Sequence, residues 1–157
     1  MTKMSQLSTT SIVILVALAC QGCMIRPPWM LRDCRPLLGT TTTVCDVMSG
    51  KEEQTYRDGV LRVVDVIDKL GWASISLSTL VIARVDDVCS SRYPWVRGCY
   101  DIDSHTVAIR YRGDDHENLQ KIIEHEVWHS MLLENIGDAD AAHSDASWKE
   151  HGFNRVF

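Results

Sequence analysis

No block of basic residues occurs anywhere in this 157-residue chain. Its 16 lysines and arginines are scattered singly or in loose pairs among 21 acidic residues, for a net charge of −5. Without a basic face to replace phosphate counterions, no nucleic-acid partner is expected. The apolar run "SIVILVALA" (Ser11 to Ala19) is far too short to cross a bilayer as a mature helix. Internal repeats and low-complexity tracts are missing, which excludes a solenoid. A zinc knuckle is excluded too, because the one CxxC pair is Cys20-Gln21-Gly22-Cys23, at the end of that apolar run. What remains is ordinary: 45% hydrophobic and 24% charged residues, enough for one folded domain behind a short tail.

The first residues read as an address. A single lysine, a short apolar run and the small-residue pattern Ala17-Leu18-Ala19 have the layout of a secretory signal peptide, assigned to residues 1–19. Cysteines follow at once, and the junction resembles the lipobox of bacterial lipoproteins. That resemblance implies a lipidated new N-terminus and a membrane tether through Cys20 or Cys23. The small apolar flank favours Cys20. Parity favours Cys23, since Cys34, Cys45, Cys89 and Cys99 would then make two disulfides in an oxidising compartment. Three pairings are open, and proximity favours Cys34–Cys45 with Cys89–Cys99. The rival readings are a plain secreted protein with incidental cysteines and an uncleaved anchor. Either way, the expected location is outside the cytoplasm, at the cell envelope or beyond.

Residues 20–50 are expected to be a tether and an irregular arm, with "RPPW", "RPLLG" and the run Thr40 to Thr43 but no helical period. A first helix is expected over Glu52 to Leu70. Ser49 and Glu52 have capping-box spacing, Val60, Val63, Val64, Ile67 and Leu70 recur at three- and four-residue steps, and Gly71 stops it. "TLVIARV" (Thr79 to Val85) reads as a strand, and "HTVAIRYR" as another with Val107, Ile109 and Tyr111 on one face. The intervening stretch with Cys89, Pro94 and Cys99 is expected to be loop. Asp114 and Glu117 repeat the capping-box spacing, so a second helix should run through His125 and His129 to about Glu134, ended by Gly137. Its core stripe would be Leu119, Ile122, Ile123, Val127 and Leu133. A short last helix, capped by Ser144, is expected over Asp145 to His151.

The informative motif lies on that second helix: His125-Glu126-Val127-Trp128-His129. Residues four apart share a helix face, so both imidazoles can reach one ion. Glu126 is offset by about 100°. It is too far round to be an ideal ligand, yet placed to bond a water on the metal. This is the logic of HExxH, in which two neutral imidazoles hold zinc and the glutamate deprotonates the zinc-bound water. The bland alternative is a helix with two ordinary polar histidines.

A catalytic zinc takes three protein ligands and keeps one position open. His143, fourteen residues past His129 and across a glycine turn, is the choice for the third. Glu150 is the chief rival and Asp140 a weaker one. One of Asp138, Asp140 and Asp145 is a candidate acceptor that fixes a ligand tautomer, although solvated turn residues are as good a reading of each.

"HEVWH" followed by "DADAAHSDASWKEHG" resembles the active-site half of a zincin-type metallopeptidase. The resemblance implies a small α+β domain over residues 51–157, a twisted mixed sheet packed on two main helices, with HExxH on the second. In that family the sheet's edge strand holds extended substrate above the motif helix. Carried over, His125 and His129 are ligands and Glu126 is the base. His143 is similar to the third histidine of SprT-like zincins, where an aromatic follows shortly after, as Trp148 does here. The metzincin pattern would need glycine at Leu132 and histidine at Asn135, and both are absent. The expected cofactor is Zn2+ and the expected activity peptide-bond hydrolysis. "HTVAIRY" is the expected substrate strand, which favours protein or peptide substrates. Tyr111, His105 and His116 are weak candidates for oxyanion stabilisation. The competing function is a non-catalytic exported lipoprotein with a structural or vestigial metal site.

Overall fold

The computed structural model describes residues 31–47, 50–85, 97–110, 116–140 and 142–154. The signal segment, Cys20, Cys23, Cys89, Tyr111 and the two expected caps Ser49 and Asp114 lie outside the described residues. The elements run β1 (Arg35–Pro36), β2 (Thr43–Cys45), α1 (Gly50–Leu70), a 3-10 turn (Ile75–Ser78), β3 (Val81–Arg84), β4 (Gly98–Asp101), β5 (Thr106–Ile109), α2 (His116–Ile136) and α3 (Ser147–Glu150). They form one mixed five-stranded sheet, ordered β1-β2-β3-β5-β4. Strands β2, β3 and β5 are mutually parallel, while β1 and β4 run antiparallel at the two edges. The fold is α+β, as the sequence implied.

Three strands were not expected. The arm contributes β1 and β2, and β2 pairs in parallel with β3, Val44 opposite Ile82. A strand of three residues is too short for alternation to register in sequence. Strand β4 was read as loop because its sequence, GCYD, opens on glycine and closes on aspartate, both poor strand formers. Its pairing with β5 places it in the sheet regardless: Cys99 faces Ala108 and Tyr100 faces Val107.

Strand β5 also departs from expectation. All four of its residues are buried, not every second one. It is flanked by β3 and β4, and both its faces are covered. Val107 and Ile109 join the main core with the helices, while Ala108 joins a small second core with Cys45, Ala83 and Val85 on the opposite face.

Helix α1 packs on α2 along Tyr56, Gly59, Val60, Val63 and Ile67, all buried. Val64 is only partly buried and Leu70 is exposed, so the expected stripe is rotated toward Tyr56. Gly59 marks the closest approach. A Cβ there would stand 2.9 Å from Ile123 Cγ2 and 3.3 Å from the Gln120 carbonyl oxygen. Helix α2 is buried along its whole middle, Ile122–Ile123 and His125–Leu132, because α1, the sheet and the C-terminal segment each cover a face. Trp128 is fully buried there, stacked on Trp72 with ring centroids 5.3 Å apart.

Cys34 and Cys45 form the expected disulfide across the β1–β2 hairpin. Cys99 is also disulfide-bonded; its expected partner Cys89 is not among the described residues. The last helix is shorter than expected, because Ser144 gives both its N–H and its hydroxyl to Asp140 instead of capping. Ala146 stands at the N-cap without a side-chain cap, and the Asp145 carboxylate accepts the Ser147 N–H. Among the described residues no helix is long and apolar enough to cross a membrane.

Gly59→Leu should destabilise the protein by about 2 kcal/mol through overpacking against Ile123. Leu61→Ala, on the exposed side of α1, should cost less than about 1 kcal/mol. Urea unfolding of the two variants checks this, and equal losses would mean that the α1–α2 approach is misplaced.

Candidate metal centre

One turn of α2 separates His125 from His129, and both rings are buried. Each is held from behind by a backbone carbonyl. His125 Nδ1 lies 2.7 Å from the Phe153 carbonyl oxygen, and His129 Nδ1 lies 2.6 Å from that of Ala139. A carbonyl only accepts, so each Nδ1 carries the proton, and in the neutral ring Nε2 keeps its lone pair. That is the tautomer a metal requires, with the outer hydrogen bond that commonly fixes it.

The segment after α2 brings the third ring. Gly137, at φ 78°, ends the helix in the left-handed conformation, its N–H bonded to the Leu133 carbonyl. Asp140 (φ 48°) and His143 (φ 56°) are also left-handed, which a side chain disfavours, so the surrounding structure must hold them. Asp140 does much of this. Its Oδ1 accepts from the Ser144 N–H and hydroxyl, and its Oδ2 from the Asp145 N–H and, at 2.6 Å, the Trp148 indole. Both oxygens are filled, and the loop is fixed in the shape that turns His143 back to the helix.

His143 Nε2 stands 2.9 Å from His125 Nε2. The ligand atoms of His125, His129 and His143 all lie within 4.8 Å of one another, close enough to bind a metal ion. Trp148 backs all three rings, its centroid 4.6 to 4.7 Å from each. This aromatic floor is itself tied to Asp140, so the loop shape and the site's apolar wall are set by the same carboxylate.

Glu126 projects from a neighbouring face of α2, toward the edge strand. It is buried, and a Cβ added to Gly98 of β4 would come within 2.7 Å of both its Cγ and Oε1. Glycine inside a strand often marks such a close approach, a signal that a reading of this stretch as loop passes over.

Several expectations need correcting. Neither rival ligand joins the cluster: Glu150 is exposed, and Asp140 is occupied by its four donors. For His125 and His129 the acceptors that set the tautomer are the two main-chain carbonyls, in place of an aspartate. No sequence signal marks such acceptors, since every residue carries a carbonyl. His105 is spent on structure: its Nε2 donates to the Ser76 carbonyl and its Nδ1 accepts from the Tyr100 hydroxyl. His116 sits at the start of α2, 3.3 Å from the Thr55 hydroxyl. The "HTVAIRY" strand, β5, is paired on both sides and has no free edge for a substrate. The edge strand beside Glu126 is β4.

No family model, curated protein or solved structure matches this chain.

Burial by itself would raise the Asp140 carboxyl from its ordinary 3.8. The N–H groups of Asp145 and Ser144, with the Ser144 hydroxyl and the Trp148 indole, outweigh it and hold the group well below that value. Asp140→Asn would turn an NH2 group toward two of these donors in either orientation. The metal-free protein should lose about 2 kcal/mol in urea unfolding. Zinc affinity should fall about 10- to 100-fold in a competition titration. A carboxyl with a depressed folded pKa stabilises above its unfolded value and loses that contribution on acidification. Below about pH 4 the wild type should therefore lose stability more steeply than the variant. Parallel pH curves would contradict this role.

Proposed function

We propose that this chain is an exported zinc-dependent peptidase, with His125, His129 and His143 as ligands and Glu126 as the proton carrier. The observation that carries the reading is the placement of Glu126. Glu126 is buried, follows His125 of the three-imidazole cluster directly in sequence, and lies against Gly98 of the edge strand of the sheet. Zinc suits the donor set, since neutral imidazoles at Nε2 are among its commonest ligands. A structural zinc is closed by four protein ligands. The three imidazoles that come together among the described residues match the protein-ligand count of a catalytic zinc.

When bound, zinc supplies Lewis acidity, polarising a carbonyl and acidifying a water. The chain's own groups do the rest. Glu126 accepts the proton of the attacking water on its carboxylate and passes it to the departing amide nitrogen. The Phe153 and Ala139 carbonyls keep the His125 and His129 lone pairs directed inward. Trp148 keeps water from the back of the rings. Among the described residues β4 is the last strand in the sheet order, and an extended peptide can add to such an edge by main-chain hydrogen bonds. This favours protein or peptide substrates, with β4 in the role first expected of β5.

The disulfide between Cys34 and Cys45 is consistent with export to an oxidising compartment. A lipid tether through Cys20 or Cys23 belongs to the same reading and rests on the N-terminal sequence alone.

The competing reading is a metal-free or structural cluster. The 2.9 Å separation of His143 Nε2 and His125 Nε2 is also a hydrogen-bond distance. Metal analysis of the purified full chain, paired with hydrolysis of an unfolded protein substrate, separates the readings. The protein should carry one zinc, lose hydrolysis in chelator and regain it with added zinc. Glu126→Gln should keep the zinc and lose activity by about 10²- to 10⁴-fold. Hydrolysis undiminished in Glu126→Gln, or none in the zinc-loaded wild type, would overturn the enzyme reading.

A further inference from the structure

Strand β4 meets α2 at a single bare point. Gly98 is buried, and its missing side chain is the space that Glu126 occupies. A Cβ there would lie 2.7 Å from Glu126 Cγ, 2.7 Å from Glu126 Oε1 and 2.7 Å from Ile122 Cγ2. Real Cβ atoms do not approach heavy atoms so closely, so any other residue must push the glutamate, the isoleucine or the strand aside. No left-handed backbone conformation accounts for this glycine, which is absent from the positive-φ residues. The reason for glycine is therefore room.

The surroundings leave little slack. Ile122 and Glu126 are successive residues on one face of α2, both buried. The strand is held on its inner side by β5, where Gly98 is paired with Ile109, itself fully buried. Two residues on, the Tyr100 hydroxyl is tied to His105, and His105 to the Ser76 carbonyl, which anchors the far end of the β4–β5 hairpin. Neither strand nor helix can retreat freely. A methyl group at position 98 would be accommodated most readily by moving the Glu126 side chain.

We propose that Gly98 is a positioning residue for Glu126: bare backbone at this one point of the edge strand forms the slot in which the carboxylate stands. The inference rests on the reading of Glu126 as proton carrier for its catalytic half, and on packing alone for its steric half. The three atoms nearest a Cβ at position 98 belong to Glu126 and Ile122 and none to an imidazole, so metal binding should be little affected by it. A change at Gly98 should separate metal retention from turnover.

A stability cycle on the full chain tests the steric half without any activity. Gly98→Ala should lower Tm by about 5 °C in the wild-type background. It should lower Tm by clearly less in the Glu126→Ala background, where the slot is emptied, and the Ile122→Ala background should give a second, separate relief. The same drop in all three backgrounds would overturn the proposal. Should Gly98→Ala alone fail to fold, recovery of the fold in Gly98→Ala/Glu126→Ala supports it, and no recovery in either double variant overturns it.

The catalytic half is read on the zinc-loaded protein. Gly98→Ala should keep one zinc with affinity within about threefold, while kcat falls about tenfold or more and KM stays within about twofold. An unchanged kcat overturns the positioning role even if the cycle shows coupling. Loss of zinc together with kcat overturns it as well, since the effect would then run through the ligands. Absence of hydrolysis in the unsubstituted protein overturns the peptidase reading and this catalytic half, while the stability cycle still decides the steric half.

Discussion

Two main-chain carbonyls, those of Ala139 and Phe153, decide which nitrogen of each helix histidine faces the site. If either contact were lost, a ring could turn over or change tautomer, and the lone pair would no longer be directed at its neighbours. The two acceptors come from different parts of the chain beyond α2. One lies in the loop that follows Gly137, the other past the last short helix. The cluster is thus a tertiary property: the helix supplies spacing, and the C-terminal segment supplies orientation.

That segment has little regular structure of its own, so its shape must be imposed by specific bonds. Asp140 imposes most of it, gathering four donors onto one carboxylate and linking them to Trp148, which in turn backs the three imidazoles. Phe153 is clamped from the other side by α1, with the Arg62 guanidinium 5.5 Å from its ring centroid and bonded to the His151 carbonyl. Asp140 and His143 are held in the left-handed region by these contacts. A short polar segment can hold such a geometry only against a rigid wall, which the buried middle of α2 provides.

Long periodic elements were legible in the sequence. Both main helices and the strands β3 and β5 announced themselves by period, glycine stops and β-branched runs. The pair His125 and His129 followed from helix geometry alone, and the choice of His143 over Glu150 and Asp140 agrees with the cluster that folds. Short strands did not register: β1, β2 and β4 are defined by pairing with partners distant in sequence, which outweighs the weak propensity of Gly98 and Asp101. Reading β4 as loop had a consequence, because it made β5 the apparent edge of the sheet. The carbonyls behind the histidines were illegible in principle, since the main chain carries the same group at every residue. Gly98 carried a signal, but only to a reader who already knew that it lay in a strand.

For the proposed centre to form, three imidazoles must bind one ion through Nε2 while His125 and His129 keep the proton on Nδ1. Long-range proton–nitrogen NMR on 15N-histidine-labelled protein, titrated with zinc, reads each of these at once. The account predicts saturation at one equivalent, with the Nε2 signals of His125, His129 and His143 moving together and the Nδ1 protons of the first two retained. A titration in which His143 stays still, or in which His125 or His129 binds through Nδ1, would contradict it.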